Sequence, residues 1–214
     1  MKLRSDGFLH RRAMPTRYAF GRHRFFPREL PADQRFELSD NRSPHLAWDD
    51  VPEGTQSLVL LCHDPDAPAD ATDVNRPDRV VPRDAPRADF VHWVLVDVPP
   101  TVRQLEEGAF SEGVTPRGKG PDSPVGRQGL NDYCGWFADD PDMSGEYFGY
   151  DGPCPPWNDE LIHWYVFELF ALDVPRLPVE KPTAADVRAA MEGHVLDTAR
   201  LEGFYYIYPE ARFR

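Results

Sequence analysis

The sequence predicts a mainly β fold, with short antiparallel strands in two packed sheets and one helix late in the chain. Three observations predict it. Apolar residues come in short runs rich in Val and Leu, at Ser57–Cys62, Phe90–Val98 and Ile162–Val174. The chain carries 23 prolines in 214 residues, about twice the roughly 5% average. Proline is excluded from helix interiors and central strands, so much of the chain must be connection. Only one stretch has helical spacing together with a start signal.

In order along the chain, residues 1–42 are basic, aromatic and irregular. Ser43–Trp48 reads as a short strand, and Val51-Pro-Glu-Gly54 as a turn whose glycine is free to take positive φ. Ser57–Cys62 is a strand. Residues 65–89 hold five prolines and many charges, which predicts a long exposed loop. Phe90–Val98 is the strongest strand signal, and Pro99-Pro100 stops it. Residues 101–130 are glycine-punctuated loop, Asn131–Trp136 is ambiguous, and Gly149–Pro156 is a tight turn region. Ile162–Val174 is a long strand. Thr183 followed by Asp186 is a variant capping box. Val187, Ala190, Met191, His194 and Val195 then fall at helical spacing, with Gly203 as the stop. Phe204–Tyr208 reads as a final strand.

Length fits one domain over residues 1–214. Hydrophobic content of 41% is enough for a core. Residues 1–30 hold eight Lys/Arg against two Asp/Glu, a balance of +6, which leaves −18 for the rest within the total of −12. Such an acidic body repels nucleic acid and anionic surfaces. The basic start reads as a lead-in whose arginines are solvated or paired, the other reading being an electrostatic arm. No run approaches the ~18 apolar residues of a membrane span, and an apolar secretory stretch is missing from the N-terminus. Three cysteines, Cys62, Cys134 and Cys154, without metal-ligand spacing suit free thiols and a cytoplasmic location.

Chemistry-bearing residues sit at strand ends. Asp64 and Asp66 follow the Ser57–Cys62 strand in an Asp-Pro-Asp turn. Alternation puts His163, Tyr165, Phe167 and Leu169 on one face, His92 with Val94 and Val96, and His63 away from Asp64. Two imidazoles and a phenol can donate to an anion, and an aspartate can keep a histidine cationic. The Gly152-Pro-Cys-Pro-Pro156 turn offers backbone N–H groups from Gly152 and Cys154. Cys154 with His92 or His163 and Asp64 is the alternative, a Cys–His–Asp arrangement for hydrolysis or acyl transfer. Against it stand the flanking prolines and the lack of a helix N-terminus to activate the thiol. A metal set from His63, His92, His163 and Asp64 or Asp66 lacks ligand spacing, so no metal and no cofactor is expected.

Asp64-Pro-Asp-Ala-Pro68, His92-Trp93, Gly152-Pro-Cys-Pro-Pro156 and His163-Trp-Tyr165 leading to Ala171-Leu-Asp173 resemble the phosphatidylethanolamine-binding protein family. Asn41–Trp48, Val51–Gly54 and Gly193-His-Val-Leu196 are similar to it as well. The likeness is to the bacterial Raf-kinase-inhibitor-like branch, of the YbhB and YbcL type. It covers residues 38–205, beyond an extended basic segment at 1–37. The resemblance implies a Greek-key antiparallel sandwich of a central and a smaller sheet, with one or two peripheral helices. It also implies a non-catalytic anion pocket at one end of the central sheet, built from Asp64, Pro68, His92, Pro156, His163 and Tyr165. Cys154 would sit on its rim, with Asp66, Trp93 and Gly152 in support. Implied ligands are phosphate-like groups, phospholipid head groups or phosphorylated partners, and a homodimer is a further expectation. The long basic start and the loops at 69–89 and 101–130 depart from the family pattern, so kinase or protease inhibition does not carry over with the resemblance.

Overall fold

A computed structural model describes residues 1–24 and 36–214. Its strands are β1 (Lys2–Arg4), β2 (Arg12–Ala13), β3 (Gly21–His23), β4 (Phe36–Leu38), β5 (Leu46–Asp49), β6 (Ser57–Pro68), β7 (Arg87–Val98), β8 (Gln104–Leu105), β9 (Arg127–Gln128), β10 (His163–Leu172) and β11 (Val195–Tyr205). Two short helices, α1 (Tyr133–Trp136) and α2 (Ala184–Ala190), precede β10 and β11. The fold is therefore mainly β, as expected.

A six-stranded sheet runs in the order β2-β11-β10-β6-β7-β9, and a three-stranded sheet in the order β1-β5-β8. β3 and β4 pair separately. Every pairing is antiparallel except β2 with β11, which is parallel. Between the two larger sheets, Leu58, Leu60, Trp93, Leu95, Phe167 and Leu169 meet Leu46, Trp48 and Leu105. On the opposite face Val59, Leu61, Val94 and Val96 are covered by Ala184, Val187 and Met191. Both faces of the central strands are thus dry, which is why Leu58–Cys62 and Val94–Val96 are continuous apolar runs rather than alternating ones.

Several boundaries differ from the sequence reading. β6 continues to Pro68 and β7 begins at Arg87, so the expected loop at 65–89 shrinks at both ends. Pairing of Ala67 with Ala88 and Pro68 with Arg87 makes the Asp64-Pro-Asp66 stretch part of a ladder. α2 starts as predicted, with the Thr183–Asp186 capping box complete. It ends sooner, because Gly193 takes φ +80° and the chain turns into β11 at Val195. His194 and Val195 are therefore not helical. Gly203 is inside β11 rather than a helix stop, where a Cβ would lie 2.5 Å from Met14. Among the described residues the N-terminal region is not wholly irregular: between connections it supplies β1, β2, β3 and β4. Five of its described arginines within residues 1–24 pair, Arg4 with Asp49, Arg11 with Glu202, Arg17 with Glu107, and Arg22 and Arg24 with Glu37. Residues 25–35 of the expected basic segment lie outside the described residues. Among the described residues, no helix is long and apolar enough to cross a membrane.

Candidate functional site

At one end of the six-stranded sheet lies a cavity of about 410 Å³. Asp64, Pro68, His92, Cys154, Pro156 and His163 all line it. Phe20, Phe36, Phe90, Trp136, Phe137, Met143 and Trp157 make the rest of its wall largely aromatic. Three adjacent strands deliver the polar floor: Asp64 from β6, His92 from β7 and His163 from β10.

His92 reaches the floor through a break in the strand pattern. Cys62 pairs with Trp93, but the next residue, His63, pairs with Val91. One step on β6 therefore spans two on β7, a β-bulge that leaves His92 as the extra residue. The bulge flips the parity of the strand. Val91 shares its face with Val94 and Val96, while Trp93 and Leu95 enter the other core and His92 lines the cavity on their side. The expectation that His92 lies with Val94 and Val96 is thus corrected: simple alternation fails across a bulge.

The two imidazoles differ in state. His163 Nδ1 meets Asp64 Oδ2 at 2.7 Å, and His163 Nε2 meets Asp159 Oδ2 at 3.1 Å. Burial opposes the charge on this ring, but the two carboxylates outweigh it and push the His163 pKa up to about 9. His163 is therefore an imidazolium at neutral pH, donating both N–H groups to carboxylates. Asp64 is held below the usual carboxylate range: burial opposes this and His163 overcomes it. Asp159 is likewise lowered, burial being outweighed by His163 and Arg87. Arg87, whose side chain is 4% exposed, donates to both oxygens of Asp159 at 2.5 and 3.0 Å and to the Asp66 carbonyl at 2.9 Å. Asp64, His163, Asp159 and Arg87 thus form a buried row of alternating charge with no net charge.

His92 Nδ1 donates to the Asp151 carbonyl at 2.8 Å, and the Asp151 N–H donates to the His92 carbonyl at 3.0 Å. Burial lowers the His92 pKa against the pull of Asp64 and of the Asp151 carbonyl. The ring is neutral, with its proton on Nδ1 and a lone pair on Nε2. Asp151 is itself 1% exposed. Its carboxylate accepts from Asn41 at 2.7 Å, Asn131 at 2.9 Å and Lys119 at 2.6 Å. The expectation that both histidines and Tyr165 donate to an anion is corrected accordingly. His163 has no N–H to spare, His92 presents an acceptor, and Tyr165 is fully buried. Burial first and the Asp64 charge next raise the Tyr165 phenol; its ring packs edge-on against His92 at 5.1 Å.

The supporting residues are also located. Asp66 accepts the Trp164 N–H at 3.0 Å and donates its own N–H to Asp64 Oδ1 at 2.8 Å. Trp93 is core, its indole donating to Gln128 at 3.3 Å. Gly152 does not offer its N–H to the cavity, because Asn41 Oδ1 accepts it at 2.8 Å. A Cβ there would lie 1.9 Å from the Tyr18 carbonyl oxygen, so glycine is required by close approach. His63 faces away, as expected, and pairs with Asp89 and Glu168. The reading of the sequence missed Arg87, Asn131, Asp151 and Asp159. Asp159 alone left a signal, standing four residues before His163 in a polar turn.

Comparisons with known proteins agree with this fold. The family model described as phosphatidylethanolamine-binding protein matches residues 5–206. A UPF0098 protein of Methanothermobacter thermautotrophicus is 34% identical over 205 residues, covering 96% of this chain and 98% of its own. The UPF0098 protein YbhB of Escherichia coli is 34% identical over 167 residues, covering 78% and 82%. Among solved structures, E. coli YbcL, a new member of the mammalian PEBP family, superposes with a TM-score of 0.64 at 27% identity, covering 96% of this chain and 98% of that one. A PEBP homologue from Chlamydia trachomatis superposes at 0.61 with 28% identity, covering 95% of each chain.

Proposed function

Because the chain belongs to the phosphatidylethanolamine-binding protein family, we propose that its cavity binds a small phosphate-bearing or other anionic ligand without transforming it. The observation that carries this reading is the floor itself: Asp64, His92 and His163 converge at the base of an otherwise aromatic cavity. Ligand sites combine an apolar wall with few placed polar groups in this way. The phosphate group would lie on His92 and the Asp64–His163 pair, between Pro68 and Pro156. The aromatic wall suits the carbon portion of a head group or of a phosphorylated partner.

His92→Ala is expected to weaken phosphoethanolamine binding at least tenfold in calorimetry while costing about 1–3 kcal/mol of stability, because the Asp151 carbonyl loses its donor. Unchanged affinity in a folded variant would contradict the reading.

Acyl transfer through Cys154 is the weaker reading. Burial pushes the Cys154 thiol up to about 12, so almost none is thiolate at neutral pH, and thiolate is the reactive form. Labelling of Cys154 by a thiol reagent at pH 7.5 is expected to be far slower than that of a free thiol. Fast labelling that His92→Ala suppresses would favour the enzyme instead.

A further inference from the structure

The hydrogen-bond inventory of the floor carries a statement about ligand class that rests on the binding reading above. A fully ionised phosphate offers only acceptors, so it needs donors. The floor has few. Both nitrogens of His163 are engaged by Asp64 and Asp159. The two terminal nitrogens of Arg87 are committed to Asp159 and to backbone carbonyls. Arg87 Nε and the Tyr165 hydroxyl have no partner among the described residues, but both are buried and neither residue lines the cavity. The Tyr133 hydroxyl donates to the Gly152 carbonyl at 2.8 Å. Among the described lining residues, the unspent side-chain donors are neutral and sit on Asn75, Trp136, Cys154 and Trp157.

Acceptors, by contrast, are placed at the floor. His92 Nδ1 is fixed as the donor to Asp151, which leaves Nε2 with a lone pair and no partner among the described residues. Asp64 is a carboxylate with lone pairs left after its bonds to His163 and the Asp66 N–H. The groups facing His92 from each neighbouring element are Asp64 on β6, Tyr165 on β10, Asp132 and Tyr133 at α1, and Asp151, whose charge Lys119 offsets. They supply no cation in contact with the ring, and a dianion would meet the Asp64 charge directly.

We propose that the cavity selects a phosphomonoester in its singly protonated form, its P–OH donating to His92 Nε2 or to Asp64. A phosphodiester has no such proton and loses this bond. The ligand class is therefore a phosphorylated small molecule or side chain with a free terminal phosphate, rather than the diester of an intact phospholipid. Free monoester is mostly dianionic above its second pKa of about 6, so binding there takes up one proton per complex.

The test is calorimetry on the intact chain with O-phosphoethanolamine and with glycerophosphoethanolamine, a diester of the same amine, between pH 6.5 and 8.5. The monoester is expected to bind at least tenfold more tightly at pH 6.5, and to weaken about a hundredfold by pH 8.5. Titration at pH 7.5 in two buffers of different ionisation enthalpy is expected to count one proton taken up. Monoester affinity that stays constant across this range, no proton uptake, or a diester that binds equally well would overturn the proposal while leaving the anion reading standing. Binding of neither compound would sink both.

Discussion

Replacing His163 with alanine is expected to cost about 3–5 kcal/mol of folding stability, the usual penalty for removing one member of a buried charge row. The ring is 1% exposed, between Asp64 and Asp159 that are 3% and 1% exposed. Without the imidazolium, Asp64 faces no cation and Asp159 keeps only Arg87. Urea unfolding of wild type and variant checks this, and a loss under 1 kcal/mol would show that the ring does not hold the carboxylates. Its pH dependence is fixed in sign. The folded His163 pKa is raised to about 9 from an unfolded value near 6.5. Its contribution is full below about pH 6.5 and is lost as pH rises through about 9, because the folded state then releases a proton the unfolded state has already lost. The gap between wild type and His163→Ala should therefore narrow from pH 7 to pH 10. His63, also raised to about 9, is unchanged in both chains and cancels in the comparison.

Asp151→Ala is expected to cost about 3 kcal/mol or more. Its carboxylate neutralises Lys119 and satisfies the side-chain amides of Asn41 and Asn131. Each buried donor left without a partner costs about 1–3 kcal/mol. The same deletion loosens the segment that holds His92, because the Asp151 backbone makes both bonds to that residue and Gly152 hangs from Asn41. Binding of phosphoethanolamine should therefore weaken along with stability, although Asp151 is not among the cavity-lining residues. A variant as stable as wild type would contradict this reading of the network. Asp151→Asn should also destabilise, since Asn41 and Asn131 donate to different oxygens of Asp151: an amide accepts from only one of them and leaves Lys119 unneutralised.

Much of this site was legible in the sequence because its residues stand at the ends of apolar runs. Asp64, His92 and His163 each follow or sit inside a run whose strand character is local. Their roles were less legible. The state of His163 depends on Asp159 and Arg87, which reach it from outside the three strand motifs. The orientation of His92 depends on a bulge, and a bulge is a relation between two strands that neither sequence shows alone. The early end of α2 follows the same logic: Val195 fits a helical period equally well, and pairing of β11 with β10 decides it. Gly203 reads as a stop in isolation but serves as a close-packed strand residue against Met14.

The most direct measurement is long-range proton–nitrogen NMR of the imidazole rings as O-phosphoethanolamine is added at pH 7. The expected free state is a doubly protonated His163 and a neutral His92 with its proton on Nδ1. Ligand should then shift His92 Nε2 saturably and leave His163 protonated throughout. A His92 that is already an imidazolium without ligand, or rings that do not respond to saturating monoester, would contradict the assignment of this cavity.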